Sequence, residues 1–370
     1  MYWQTWFRFL DKELECDHAF LETLAFTNAS PSRMRHHLVI LRDDHLGDMI
    51  LTTPLARTLA STGWQVTVVG KAAWAGVWKN NPHASYMAIE TIAPDFPKNS
   101  WRLSCWLRKL GPTHVLVPYH HSTLLWASFF SGLSSRYCQM GRILGRLTLH
   151  HSLRSGLLHT PRHMGDVWQD FAEAMGVPRQ SPRPEIFLAA EETAHVARRL
   201  AEKLPGDKPV IVLHPFHGGS SCHFKLKDYA DVADQLQRSG RCRIVITGVA
   251  AEREKWLAVA SHLKPENLWI ACGELSLRQL FALVGQARTV ICGSTGVLHV
   301  ASALNVPSVS IMCPHPLVSP DMWRNLAEGA VDLRPDRDHC ARYRGEPVVD
   351  CGFCEGPFPE QVAEAVLTRV

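Results

Sequence analysis

A Gly-Ser-Thr-Gly run at residues 293–296 joins two apolar stretches of different character. Residues Thr289 to Cys292 are β-branched and apolar, typical of a strand buried on both faces, whereas Val297 to Leu304 are typical of a helix. Glycine permits a tight turn, and Ser294 or Thr295 can cap the helix. The pattern predicts a helix N-terminus with free N–H groups at the carboxyl end of a strand, where an anion binds well. The alternative is an ordinary β-α turn whose serine is only a cap.

A carboxylate with possible catalytic chemistry lies in residues 41–59, LRDDHLGDMILTTPLARTL. A predicted strand ends at Arg42, a short polar loop follows, and Gly47-Asp48 opens a helix. Asp48 is therefore expected at the carboxyl end of a strand, facing a cleft. There it could accept a proton from a substrate hydroxyl. The alternative is that Asp48 only complements the positive end of the helix dipole.

Length and composition bound the class of protein. The chain has 370 residues, of which 46% are hydrophobic and 20% charged, as in soluble globular proteins with room for two domains. No apolar run approaches the length of a membrane span, and the N-terminal residues lack the features of a signal peptide. We therefore expect a cytoplasmic protein in which the 11 cysteines are mostly reduced.

The charge is distributed unevenly along the chain. From Phe96 to Gly165 there is no Asp or Glu, but nine Lys or Arg and seven His. This asymmetry predicts a surface that faces an anionic partner, such as a phosphorylated glycolipid or a membrane leaflet; the alternative is a basic face without a partner. We expect no nucleic-acid partner, because no zinc-finger, recognition-helix or aromatic RNA-binding signature is present.

Strand and helix patterns alternate in both halves of the chain, separated by a proline-rich connector. This alternation predicts an α/β fold with two Rossmann-like parallel-sheet domains facing each other across a cleft. Neither a GxGxxG nor a GxxxxGK[ST] motif occurs, which argues against hydride transfer and nucleotide hydrolysis. The expected segments are an N-terminal helical extension (1–35), a first Rossmann-like domain (36–180), a linker (181–208), a second Rossmann-like domain (209–340) and a cysteine-containing tail with a C-terminal helix (341–370).

The N-terminal extension carries an aromatic stripe. Trp3, Trp6, Phe7 and Leu10 would share one helical face, which either docks on the protein or contacts a membrane.

Three segments, in order, resemble glycosyltransferase family 9, the heptosyltransferase-like family of ADP-heptose:lipopolysaccharide transferases. LGDMILTTP resembles its N-terminal signature, and the run from Ser294 to His299 resembles its C-terminal signature of Asp-Thr-Gly followed by His. Between them, CHFKLKDYADV resembles a Lys-x-Trp-Pro segment with Phe224 at the tryptophan position. The resemblance spans residues 36–365 approximately.

This resemblance implies a GT-B architecture and an inverting transfer of heptose from ADP-heptose to a hydroxyl of a glycolipid, the lipopolysaccharide core. It implies that Asp48 is the general base and that the N–H groups around Thr295, Gly296 and Val297 hold the diphosphate. No catalytic metal would be required. Arg42 and Gly47 would lie on the acceptor side. The implied donor-binding residues are Ser220, Ser221, Lys225, Glu252, Ser294, Thr295, Gly296, Val297 and His299.

Two positions depart from the family pattern. Ser294 replaces the usual aspartate, and Cys222 replaces the usual lysine, for which Lys225, Lys227 or Arg42 could substitute. These changes leave two other interpretations open: a catalytically silent GT-B scaffold that binds an anionic glycolipid or a partner protein, and a sugar-nucleotide epimerase. Intact Asp48, Thr295, Gly296 and His299 favour the transferase.

The tail contains ligand-like cysteine spacing. Cys340, Cys351 and Cys354 form a C-x10-C-x2-C pattern beside His339. Such spacing is compatible with structural zinc or iron, and the alternative is reduced or disulfide-prone thiols.

Overall fold

The computed structural model describes residues 36–98, 100–119, 121–139, 144, 147–148, 151–153, 161–218, 223–335 and 356–370. Within them lie two parallel β-sheets of six strands each. The first sheet contains β1 His37–Leu41, β2 Gln65–Gly70, β3 Ser85–Ala88, β4 His114–Val117, β5 Ser135–Gln139 and β6 His151–Leu153. The second contains β7 Val210–His214, β8 Arg243–Ile246, β9 Leu268–Ile270, β10 Thr289–Gly293, β11 Ser308–Ile311 and β12 Val331–Leu333.

Both sheets have the same strand order. The first runs β3-β2-β1-β4-β5-β6 and the second β9-β8-β7-β10-β11-β12. In the first sheet, β1 lies between β2 and β4. In the second sheet, β7 lies between β8 and β10. The order therefore reverses between β1 and β4, and again between β7 and β10. In doubly wound sheets such a reversal opens a crevice at the carboxyl ends of the strands, where ligands bind.

Helices follow most strands. In the first half they are α1 Leu46–Leu51, α2 Thr53–Ala60, α3 Ala75–Trp78, α4 Ile89–Ile92, α5 Trp101–Leu110, α6 Ser122–Phe130 and α7 Met164–Ala174. In the second half they are α8 Ala190–Lys203, α9 Leu226–Ser239, α10 Arg253–Val259, α11 Leu277–Val284, α12 Gly296–Ala303, α13 Pro320–Trp323 and α14 Pro359–Leu367.

The helical segment that begins near Asp48 is divided into α1 and α2, with Thr52 between them. Pro54 has no N–H to donate to the carbonyl of Ile50, so the helical hydrogen-bond ladder is interrupted there. The Thr53 hydroxyl donates to the Ile50 carbonyl instead, at 2.8 Å. Thr53 also accepts from the backbone N–H of Glu185 at 2.9 Å. The break thus becomes an attachment point for the connector between the two halves.

The connector is attached to α2 by hydrogen bonds. The Arg57 guanidinium donates to the carbonyls of Ser181 and Arg183 and to the carboxylate of Glu185 at 2.7 Å. The predicted linker also contains helix α8, which packs on α11.

Three clusters of buried apolar side chains support the two sheets. The largest extends from one half to the other and includes Met49, Trp168 and Leu298. A second covers the other face of the first sheet under α5 and α6. The third lies between the second sheet, α9 and the C-terminal helix α14. Among the described helices, none is both long and apolar enough to cross a bilayer.

Candidate active site

A buried guanidinium organises the loop that follows β1. Arg42 is 2% exposed and donates to both carboxylate oxygens of Asp44, from Nε at 2.7 Å and from Nη2 at 2.8 Å. Nη2 also donates to Oδ1 of Asp48 at 2.8 Å, and Nη1 donates to the Thr52 hydroxyl at 3.1 Å. The face of the guanidinium lies 4.9 Å from the centre of the Trp168 ring. Each of the three nitrogens of this buried cation therefore has a hydrogen-bond acceptor, as burial of a charge requires.

Asp48 lies in the first turn of α1, as predicted. Its side chain is 22% exposed and contacts Arg42. Burial raises the pKa of the carboxyl to about 6, the nearby Arg42 charge opposes that rise, and Asp44 adds to it. A carboxylate with this pKa is mostly ionised at neutral pH yet is a stronger base than an ordinary aspartate.

A second polar cluster lies beside this loop, at the carboxyl end of β4. Tyr119 donates to Asp43, and the Nε2 atom of His121 lies 3.8 Å from the other oxygen of the same carboxylate. Burial raises the pKa of Asp43, although His121 and Lys71 act against the rise. None of these three residues was predicted from the sequence. They follow the same rule as Asp48, because polar side chains at the carboxyl end of a parallel strand face the crevice where ligands bind.

The Gly-Ser-Thr-Gly run forms the predicted turn between β10 and α12. Thr295 is the N-cap residue in extended conformation, and Gly296 begins the helix. The Thr295 hydroxyl lies near the Cys292 thiol, a weak partner, and makes no other hydrogen bond within the described residues. The first N–H groups of the helix, including those of Gly296 and Val297, have no carbonyl within the helix to bond. The turn can therefore offer a hydroxyl and several N–H groups to an anion.

The helix that carries Asp48 packs directly on this helix. A Cβ atom built on Gly47 would lie 2.4 Å from Cδ2 of His299, and one built on Gly296 would lie 3.0 Å from Leu46. The contact at Gly47 therefore leaves no room for a Cβ atom, and the contact at Gly296 is tight. The contact brings together the candidate base and the candidate anion site, which are almost 250 residues apart in the chain.

His299 is part of this contact rather than a charged ligand. Its side chain is buried, and burial lowers its pKa to about 3, with His163 acting in the same direction. The ring is neutral at physiological pH, and its Nδ1 atom has no partner among the described residues. Its ring lies edge-on to Trp323, with 6.0 Å between the centres.

The other predicted donor residues lie around the carboxyl ends of neighbouring strands. Glu252 follows β8, and its Oε2 accepts from the backbone N–H of Val249 at 2.8 Å, so the side chain caps its own turn. Lys225 is exposed at the start of α9. Ser294 is half-buried next to Thr295.

Several predicted residues lie outside the part of the chain that the structure describes. These are Ser220, Ser221, Cys222, Cys340, Cys351 and Cys354, together with the N-terminal aromatic stripe. In the described parts of the chain, no group of three His, Cys, Asp or Glu side chains could hold a metal ion. Next to the first of these segments, the rings of His217 and His223 stack with centres 3.5 Å apart. Neither histidine was predicted from the sequence as a candidate site residue.

Two six-stranded parallel sheets with the same strand order, joined where α1 packs on α12, form the two-domain architecture of GT-B glycosyltransferases. The family model for glycosyltransferase family 9 (heptosyltransferase) matches residues 158–344. The chain belongs to this family, and the predictions of a GT-B fold and a glycosyltransferase are confirmed.

Known relatives and solved structures agree with this assignment. Lipopolysaccharide heptosyltransferase 2 of Escherichia coli K12 is 24% identical over 318 residues, which cover 80% of this chain and 87% of that protein. A family 9 glycosyltransferase structure from Veillonella parvula has a TM-score of 0.72 at 20% identity, covering 90% of this chain and 96% of the other. The structure of the E. coli ADP-heptose lipopolysaccharide heptosyltransferase II has a TM-score of 0.71 at 20% identity, covering 90% and 98%.

Proposed function

We propose that this glycosyltransferase moves heptose from ADP-heptose to a hydroxyl of a lipopolysaccharide-core glycolipid, with inversion at the anomeric carbon. In this scheme Asp48 removes the proton from the acceptor hydroxyl as it attacks. The N-terminus of α12 holds the diphosphate and stabilises the charge that develops on the leaving group. No step requires a metal ion.

The observation that carries the proposal is the packing of α1 on α12. Asp48 follows Gly47, which touches His299, and Leu46 touches Gly296. The base and the anion site therefore stand on two helices in contact, so an acceptor hydroxyl and a donor phosphate could bind close together. Such positioning accounts for much of the rate of a transfer reaction.

Relatives support the choice of donor and acceptor. The E. coli relative is named as a lipopolysaccharide heptosyltransferase, and a solved neighbour as an ADP-heptose enzyme. Within the proposed donor site, Glu252 would accept from ribose hydroxyls, and Lys225 would stand in for the cation that Cys222 replaces. Ser294 would contact the sugar as a neutral hydrogen-bonding group where the family has an acid.

The donor is tested by calorimetric binding of ADP, UDP, GDP, CDP and TDP, followed by turnover with ADP-heptose and a lipopolysaccharide-core acceptor. We expect selective ADP binding and transfer of heptose. Preference for another nucleotide would contradict the ADP-sugar donor. Absence of binding to any of them would contradict a nucleotide-sugar transferase and favour the scaffold.

Replacing the base tests the role of Asp48. Asp48→Asn should lower kcat by about 10²–10⁴-fold, the usual contribution of general base catalysis. It should not lower the free energy of unfolding at neutral pH, since burial disfavours the ionised form that it removes. Asp166→Asn is the matched control, because Asp166 also lies in the first turn of a helix but pairs with Arg179. If both variants keep full activity, Asp48 serves only the helix dipole.

We further propose that α5 and α6 bring the enzyme to an anionic membrane surface at the cytoplasmic face of the inner membrane, where a glycolipid acceptor would be anchored. Arg108 donates to the carbonyl of Phe130 at 2.7 Å and lies over the Trp101 ring. The Trp126 ring stacks on Phe130, whose side chain is 43% exposed. Exposed cations beside aromatic rings are typical of surfaces that bind the interface of a bilayer.

Vesicle sedimentation tests this surface. The full chain should bind vesicles containing anionic lipid more strongly than phosphatidylcholine vesicles, and salt should weaken the binding. Phe130→Ser with Lys109→Gln should reduce the bound fraction several-fold. Lys203→Gln with Leu257→Ser, on exposed helices of the other half, should not. Equal binding by the two double variants would contradict this role of α5 and α6.

A further inference from the structure

One guanidinium in the candidate active site is shared by two carboxylates. Arg42 gives Asp44 two hydrogen bonds, at 2.7 and 2.8 Å, and gives Asp48 one, at 2.8 Å. The bidentate geometry with Asp44 is the stronger of the two, because both N–H groups and both oxygens are matched. Asp44 thus fixes the plane of the guanidinium, and Asp48 accepts a second hydrogen bond from its Nη2 atom.

The charge balance of this group matters because it is buried. Arg42 is 2% exposed, and the side chains of Asp44 and Asp48 are 13% and 22% exposed. One positive and two negative charges leave a net charge of minus one on the cluster. If Asp44 were neutral, no second carboxylate would balance the effect of Arg42 on Asp48. A positive charge at this distance lowers the pKa of a carboxyl group by about 1–3.

A base with an ordinary or lowered pKa would be less effective. The pKa of Asp48 is about 6 because burial raises it, Arg42 lowers it, Asp44 raises it and His45 lowers it. General base catalysis at neutral pH is most efficient when the pKa of the base lies near the working pH. The positive charge that orients Asp48 would therefore weaken it if the second carboxylate did not balance that charge.

In the same loop, the Asp43 carboxylate also acts on Arg42, and His121 and Lys71 act in turn on Asp43. The other elements that pack around α1 present groups that are neutral or paired elsewhere. From α12, the ring of His299 lies against Gly47 and is neutral. From α7, Trp168 contacts Arg42 through its ring face, and Asp166 and Asp170 of the same helix pair with Arg179. Thr52 and the Trp74 indole, which donates to the Asp44 carbonyl at 3.0 Å, are uncharged.

We propose that Asp44 is a positioning residue for the transfer reaction, neutralising and orienting Arg42 so that the guanidinium holds the Asp48 carboxylate in place without suppressing its basicity. This inference rests on the proposed function of Asp48. Asp44 itself touches neither substrate nor the proton that is transferred; it acts through Arg42.

The test is the pH dependence of kcat/KM with ADP-heptose and the lipopolysaccharide-core acceptor. The activity of the wild-type protein should rise with pH as Asp48 loses its proton, with a midpoint near 6. In Asp44→Asn the midpoint should fall by about one pH unit, and the plateau should fall several-fold because the base is weaker. Asp44→Glu restores the charge and should return the midpoint towards that of the wild-type protein. A purely structural role would lower activity without moving the midpoint.

Two further variants separate the possible failures. If Asp44→Asn has the midpoint of the wild-type protein while Asp48→Asn is inactive, the role of Asp44 is wrong and the base assignment stands. If Asp48→Asn is active, the base assignment itself is wrong. Should Asp44→Asn fail to fold, Arg42→Met with Asp44→Val removes the buried ion pair at a similar total volume. Its midpoint should lie at or above that of the wild-type protein, with a lower kcat; a midpoint below it would overturn the proposal.

Discussion

At the scale of single residues, Asp48 shows how much of a catalytic property lies in the surroundings of a side chain. Its place in the first turn of a helix follows from the local sequence. Its raised pKa does not, because that depends on burial and on two charged neighbours, Arg42 and Asp44. The same carboxylate in an exposed first turn would be an ordinary helix-dipole partner.

The glycine before Asp48 gives a prediction at this scale. Gly47→Ala should lower the free energy of unfolding by about 1–3 kcal/mol, the usual cost of overpacking, because the added methyl group meets the buried His299 ring at 2.4 Å. Activity should fall too, since the ring or α1 must move. Chemical denaturation and kcat measure the two effects.

Gly285→Ala is the matched control. Gly285 has a right-handed backbone conformation, and the nearest atom to an added Cβ is 3.5 Å away. This variant should be as stable as the wild-type protein or slightly more so. Equal stability of the two variants would contradict the tight contact between α1 and α12.

At the scale of elements, the break at Thr52 gives two short helices, α1 and α2, which pack against different parts of the protein. α1 carries Asp48, the proposed base, and touches α12, whereas α2 packs on α7 and holds the connector. Pro54 makes the break necessary, and Thr53 compensates for the N–H that the proline lacks.

The Thr53 hydroxyl should therefore be important for stability. Thr53→Val removes the donor to the Ile50 carbonyl, which is buried, and the acceptor for the Glu185 N–H, which is partly buried, and should cost about 1–3 kcal/mol. Thr62→Val is the control, because the exposed Thr62 makes the same kind of bond, to the Leu59 carbonyl. Its unfolding free energy should change by no more than about 0.5 kcal/mol. Equal losses in urea denaturation would show that the break has no special role.

At the scale of the whole molecule, a carboxylate on α8 links the two halves. Glu192 accepts from Lys79 at 2.9 Å and from Arg278 on α11, and Arg278 also donates to the carbonyl of Gly76 in the first half at 2.9 Å. Hydrogen bonds from Arg278 are the main cause that lowers the pKa of Glu192 to about 2.

This network predicts a pH-dependent contribution to stability. A carboxyl with a lowered pKa in the folded state stabilises fully above its ordinary pKa of 4.5, and the contribution is lost as pH falls towards 2. Glu192→Gln should cost about 1.5–3 kcal/mol at neutral pH, and the difference from the wild-type protein should shrink across that range. The exposed neighbour variant Glu191→Gln should show neither effect. A cost for Glu192→Gln that does not depend on pH would exclude the charge as its cause.

Local patterns in the sequence determined much of the fold. The alternation of strand and helix patterns predicted two parallel sheets. The Gly-Asp and Thr-Gly helix starts predicted candidate site residues at the carboxyl ends of the strands. These signals can be read from the sequence because each involves only a few neighbouring residues. The connector helix α8 was missed because three prolines just before it indicated a linker. The division of residues 1–370 into five segments remains a prediction.

Only the tertiary structure decided how the site works. The predictions that Arg42 lies on the acceptor side and that His299 lies near the phosphates or the sugar remain predictions. The structure adds that Arg42 is shared between Asp44 and Asp48 and that the neutral ring of His299 lies against Gly47. The physical reason is that pKa values and close contacts depend on burial and on groups that are distant in the chain. Sequence spacing predicts which residues reach the carboxyl ends of the strands; only folding determines which of them face one another.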